Sequence, residues 1–138
     1  MIKILYKIPF SSGLLLLSPI LTILPGRQYS LDCDYENEEN GETVQIKTLF
    51  TDIVAFKCTY LYALDVFLIK NAYEKIVELE QSEWKSEVLN RLAKEREAYK
   101  HLAIVFDDGP CYEFICKDID IPDWAWNELD YLTKKKTW

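Results

Sequence analysis

Residues 28–36 alternate without a break, with Tyr29, Leu31, Cys33 and Tyr35 on one face and Ser30, Asp32, Asp34 and Glu36 on the other. Side chains change sides at every residue only in an extended chain, so this pattern predicts a half-buried strand. The segment Asn37-Glu38-Glu39-Asn40-Gly41-Glu42 follows, and its Asn40-Gly41 pair is a hairpin signal because both residues accept positive φ. Val44 and Ile46 carry the alternation back along residues 43–48. Antiparallel pairing with one wet face is therefore the pattern the rest of the fold must accommodate.

Further strands are expected on either side. Residues 2–8 are rich in Ile, Leu and Tyr and stop at Pro9 and the turn Ser11-Ser12-Gly13. Residues 14–24 form an apolar run broken at Pro19 and closed by Pro25-Gly26, and residues 53–62 are apolar on both faces, as in the middle of a sheet. Val66, Ile69, Tyr73, Ile76 and Val77 fit helical spacing, whereas Ile76-Val77-Glu78-Leu79 fits a strand; a loop leading into a strand at 73–80 is the preferred reading. Ser82 can cap a helix with Glu83 in its first turn. Trp84, Val88, Leu89 and Leu92 then share a face, which predicts a helix over 82–96. Residues 99–106 and 111–117 read as a hairpin around Asp107-Asp108-Gly109-Pro110, and Pro122 can open a C-terminal helix. The expectation is one globular α+β domain over 1–138, mainly antiparallel, as a twisted sandwich or partly closed barrel of about seven or eight strands.

Charge and cysteine content narrow the functional classes. The chain has 138 residues, 23 acidic and 16 basic, for a net charge of −7. Three of the basic residues are the run Lys134, Lys135 and Lys136, so the remaining body is more acidic still. Such a body repels nucleic-acid phosphates and anionic membranes, and suits a basic protein partner. Cys111 and Cys116 lie on one expected strand, about 16 Å apart, too far for a disulfide or a shared zinc ion. A Cys33–Cys58 bridge stays open, but buried reduced thiols in a cytoplasmic chain are the simpler reading of all four. The N-terminal run 13–24 follows Lys3 and Lys7 somewhat like a signal peptide. Pro19 interrupts it, no small-x-small site follows, and it is too short to span a bilayer.

No catalytic set stands out. His101 is the single histidine and is expected as a satisfied surface or edge residue. Asp107, Asp108 and Glu113 could serve a metal or paired-carboxylate chemistry, but Asp-Asp-Gly-Pro is also what a tight turn requires. The four glycines all sit in turns, so no phosphate-cradling loop is expected; with one histidine and no matched thiol pair no metal site is expected, and no cofactor is. Candidate partner-binding residues are the acidic turn Asp34, Glu36, Glu38, Glu39 and Glu42, with Trp124 and Trp126.

The order Val77-Glu78-Leu79-x-x-Ser82-Glu83-Trp84, then Lys100-His101, then Phe106-Asp107-Asp108-Gly109-Pro110-Cys111-Tyr112-Glu113-Phe114-Ile115-Cys116 resembles small single-domain bacterial proteins. Some of these look like immunity proteins of toxin systems. The resemblance covers residues 77–117 and implies binding and neutralisation of a cognate toxin, with no catalytic residues. The expected function is a non-catalytic protein-binding module. The alternatives are a small-ligand-binding β-domain, and an enzyme built on His101, Asp107, Asp108 and Glu113.

Overall fold

The computed structural model describes residues 2–8, 19–36, 40–60, 63–92, 96–107 and 109–121. Along these the chain forms β1 (Ile2–Lys7), β2 (Ile20–Leu24), β3 (Gln28–Glu36), β4 (Thr43–Thr51), β5 (Ala55–Tyr60) and helix α1 (Val66–Ala72). It continues through β6 (Lys75–Leu79), α2 (Glu83–Leu92), a 3-10 turn (Arg96–Ala98), β7 (Lys100–Val105), β8 (Pro110–Cys116) and β9 (Asp118–Asp120). Two antiparallel sheets result, one of five strands in the order β1-β6-β7-β8-β5 and one of four in the order β2-β3-β4-β9. This is the expected α+β sandwich, not closed into a barrel.

The alternation read in residues 28–36 has its cause in the packing between the sheets. Leu31, Cys33 and Tyr35 of β3, with Ile46 and Phe50 of β4, meet Tyr6, Ile76, Leu102, Ile104, Phe114 and Cys116 of the five-stranded sheet. Phe50 stacks on Phe114 with ring centroids 3.9 Å apart, and Phe56 and Tyr29 close around the same ring. The aromatic side chains thus pack on one another between the layers.

The other face of the five-stranded sheet carries both helices. Ala72 and Leu68 of α1 cover Val77, Ala103, Val105 and Cys111. Leu89, Trp84 and Val88 of α2 cover Ile115, with Tyr99. These two apolar patches are separate clusters, and a polar row crosses the sheet between them.

Several expectations change. The segment 53–62, expected in mid-sheet, yields β5, which among the described residues pairs only with β8 and so lies at an edge; Lys57, Cys58 and Tyr60 are exposed there. The loop expected before residue 73 contains α1. Asp65 Oδ1 accepts the Phe67 N–H at 2.8 Å, and the helix is held by the sheet patch beneath Leu68 and Ala72. The helix expected over 82–96 is present as α2 from Glu83 onward, with Leu89 buried, and residues 93–95 lie outside the described residues. Among the described residues nine strands form, against about seven or eight expected; the extra one is β9, too short to show a period. All four thiols are free: Cys33 is buried in the core and Cys58 lies on the exposed edge, so the two do not bridge and Cys58 is not a core residue. Trp124, Trp126, Glu38, Glu39, Asp108 and the C-terminal helix expected after Pro122 lie outside the described residues.

Candidate functional site

The polar row follows from strand register. In β7, His101, Ala103 and Val105 point toward the helices, and in β8 so do Cys111, Glu113 and Ile115. His101 stands opposite Ile115, and Glu113 opposite Ala103, which makes His101 and Glu113 diagonal neighbours on that face. Lys57 is directly opposite Glu113 on β5. After β6, the turn through Glu80 and Gln81 delivers Ser82 to the start of α2, above His101.

These residues are joined in series. The Lys85 N–H donates to Ser82 Oγ at 3.0 Å, the N-cap bond expected of this serine. Ser82 Oγ lies 2.6 Å from His101 Nδ1, and His101 Nε2 lies 2.9 Å from Glu113 Oε1. Lys57 Nζ reaches Glu113 Oε2 at 3.7 Å and sits 4.3 Å from the Trp84 ring centroid, while Trp84 meets the imidazole edge-on. His101 is only 5% exposed and Glu113 3%, whereas Lys57 is far more open. Two proton arrangements satisfy the chain. A neutral imidazole gives Nε2–H to Glu113 and accepts the serine O–H at Nδ1; an imidazolium donates from both nitrogens. Either way the buried charge and the ring have partners, as burial demands.

His101 is thus an interior residue of a central strand, which corrects its expected surface or edge placement. Of the four residues in the alternative site, the fold brings His101 and Glu113 together. Asp107 is exposed at the β7–β8 turn, where the Gly109 N–H donates to the Phe106 carbonyl at 3.2 Å. In the acidic turn, Glu36 and Glu42 are exposed and Asp34 is half-buried; the Glu42 N–H donates to Asn40 Oδ1 at 2.9 Å. Ser82, Lys57 and Trp84 were not singled out as site residues, although counting faces outward from the 107–110 turn places His101 and Glu113 on one side.

Above this row lies an open recess of about 460 Å³, lined by Asp65, Phe67, Leu68, Leu79, Gln81, Ser82, Glu83, Trp84, His101 and Glu113. Its walls are half apolar, and its charged lining is acidic. No group of three or more His, Cys, Asp or Glu with metal-binding geometry occurs among the described residues. A thiolate nucleophile is also unfavourable on this face of the sheet, where Cys111 lies two residues from Glu113 on β8. Burial pushes the Cys111 thiol up to about 12, and the nearby Glu113 charge adds to the shift. No protein-family model, curated protein or solved structure matches the chain.

Proposed function

We propose that this chain is a non-catalytic protein-binding module of the bacterial cytoplasm, an immunity-type inhibitor that occludes a basic toxin or effector. The carrying observation is on α1, where Val66 and Phe67 stay 75% and 53% exposed beside the acidic recess. Two large apolar side chains left in water at an acidic rim favour a partner that covers them, since interface energy concentrates in buried anchors within a polar surround. The net charge of −7 speeds encounter with a basic surface. Four free thiols are in keeping with a reducing compartment. The resemblance of residues 77–117 to immunity proteins points the same way.

The test is capture of a basic protein from the native host at low and at high salt, with Val66→Asp/Phe67→Asp as the control chain. A partner held by the wild type, released by salt and not retained by the double variant supports the reading. Equal retention by both chains, or no partner at all, ends it.

A second reading rests on the serial contacts Ser82–His101–Glu113. Nucleophile, base and carboxylate at hydrogen-bond distance are the arrangement of acyl-transfer sites. Against it, Ser82 Oγ already accepts the Lys85 N–H as the cap of α2, which takes one of its two lone pairs and gives the hydroxyl a structural role. Incubation with 4-nitrophenyl acetate discriminates the two. An acyl group found on Ser82 by mass spectrometry favours acyl transfer, and an unmodified serine favours the binding module.

A further inference from the structure

We infer that the recess between α1 and the start of α2 is the seat for an arginine side chain of the basic partner; this rests on the protein-binding reading above. The recess pairs exposed carboxylates with aromatic surface, the combination that holds a guanidinium by charge, hydrogen bonds and ring contact together. Asp65 and Glu83 stand on its walls with Phe67 and Trp84, and neither carboxylate has a basic side chain within salt-bridge distance among the described residues. The positive end of α2 is worth about half an elementary charge there, and Glu83 in its first turn outweighs it. The volume, about 460 Å³, lies in the lower part of the roughly 300–1,000 Å³ range of ligand sites, and suits one inserted side chain better than a large cofactor.

The protein already shows the chemistry once. Lys57 of β5 places its ammonium over the Trp84 ring and against Glu113, so this indole and carboxylate hold a cation supplied by the chain itself. An incoming guanidinium meets the remaining acids, Asp65 and Glu83, beside the Phe67 ring. Lys57 opposes it as a like charge. Lys57 therefore keeps the pair beneath satisfied and lowers, without abolishing, the hold on the incoming cation.

The probe is N-acetyl-arginine amide, titrated at pH 8 into the 15N-labelled chain, with the neutral citrulline amide as its isosteric control. Saturable shifts at the Trp84 indole N–H and the Glu83 amide with arginine alone are the expected result. Asp65→Asn/Glu83→Gln should weaken that binding roughly fivefold or more, and Lys57→Met should strengthen it. Equal shifts from citrulline, shifts confined to other surfaces, or indifference to all three substitutions overturn the inference. The captured partner provides the second arm. If it binds the wild type and Asp65→Asn/Glu83→Gln equally, the recess assignment fails while the protein-binding reading stands; if nothing binds the wild type, that reading itself falls.

Discussion

Ser82 serves two neighbours at once, and its replacement shows what the polar row contributes. Alanine there removes the cap on the Lys85 N–H and leaves His101 Nδ1 without its partner in a buried setting. A cost of about 1–3 kcal/mol is expected from the cap and the stranded ring nitrogen together. Urea unfolding monitored by circular dichroism measures it, and Ser82→Thr, which keeps the hydroxyl, should recover most of the loss. Glu113→Ala is expected to cost at least as much, because it strands the buried His101 Nε2, whereas the exposed Lys57 ammonium stays solvated.

The thiols give a residue-scale prediction of a different kind. Burial pushes Cys33, Cys111 and Cys116 from 9.0 up to about 12, whereas Cys58 is exposed and only modestly raised by partial desolvation. A disulfide reagent at pH 8 should therefore modify one thiol of the folded chain, identified as Cys58 by peptide mass mapping. Modification of the other three should wait for denaturant. The linkage has a definite sign. Folded-state values above the unfolded ones mean stability that is complete below pH 9 and lost as pH climbs toward 12. Urea midpoints should fall between pH 8 and pH 11, and Cys116→Ala should flatten the decline.

At the scale of elements, α2 depends on one side chain more than its amphipathic pattern suggests. Leu89 is fully buried against Ile115 and Tyr99, while Leu92 of the same helix stays exposed. Leu89→Ala should cost about 2–4 kcal/mol, and Leu92→Ala well under about 1 kcal/mol, in the same unfolding assay. The helix α1 makes the complementary point. Its seven residues are too few to persist alone in water, so it exists because Leu68 and Ala72 find the patch made by Val77, Ala103, Val105 and Cys111.

For the whole molecule, the two sheets meet through Phe114 and Phe50, and the helices lie on the opposite side of the five-stranded layer. Phe114→Ala opens the centre of that interface and should cost about 3–5 kcal/mol, enough to expose dye-binding apolar surface near room temperature. The outer face, by contrast, tolerates its polar row because every member has a partner. The row also divides the labour of the sheet: one face holds the layers together, and the other carries the recess.

Local pattern was enough to identify several elements. Residues 28–36 and 99–106 had to be strands and Ser82 had to start a helix, because periodicity and caps are properties of a few neighbouring residues. The sandwich class followed from the same runs. Which strand lies at an edge, and which residues meet across a sheet, depend on long-range pairing that leaves no local mark. An apolar run such as 53–62 reads alike in the middle of a sheet and at its rim, and only the tertiary fold put β5 outside. The same holds for the candidate site: Lys57, Ser82, His101 and Glu113 come from four separate segments, and register and packing alone made them neighbours.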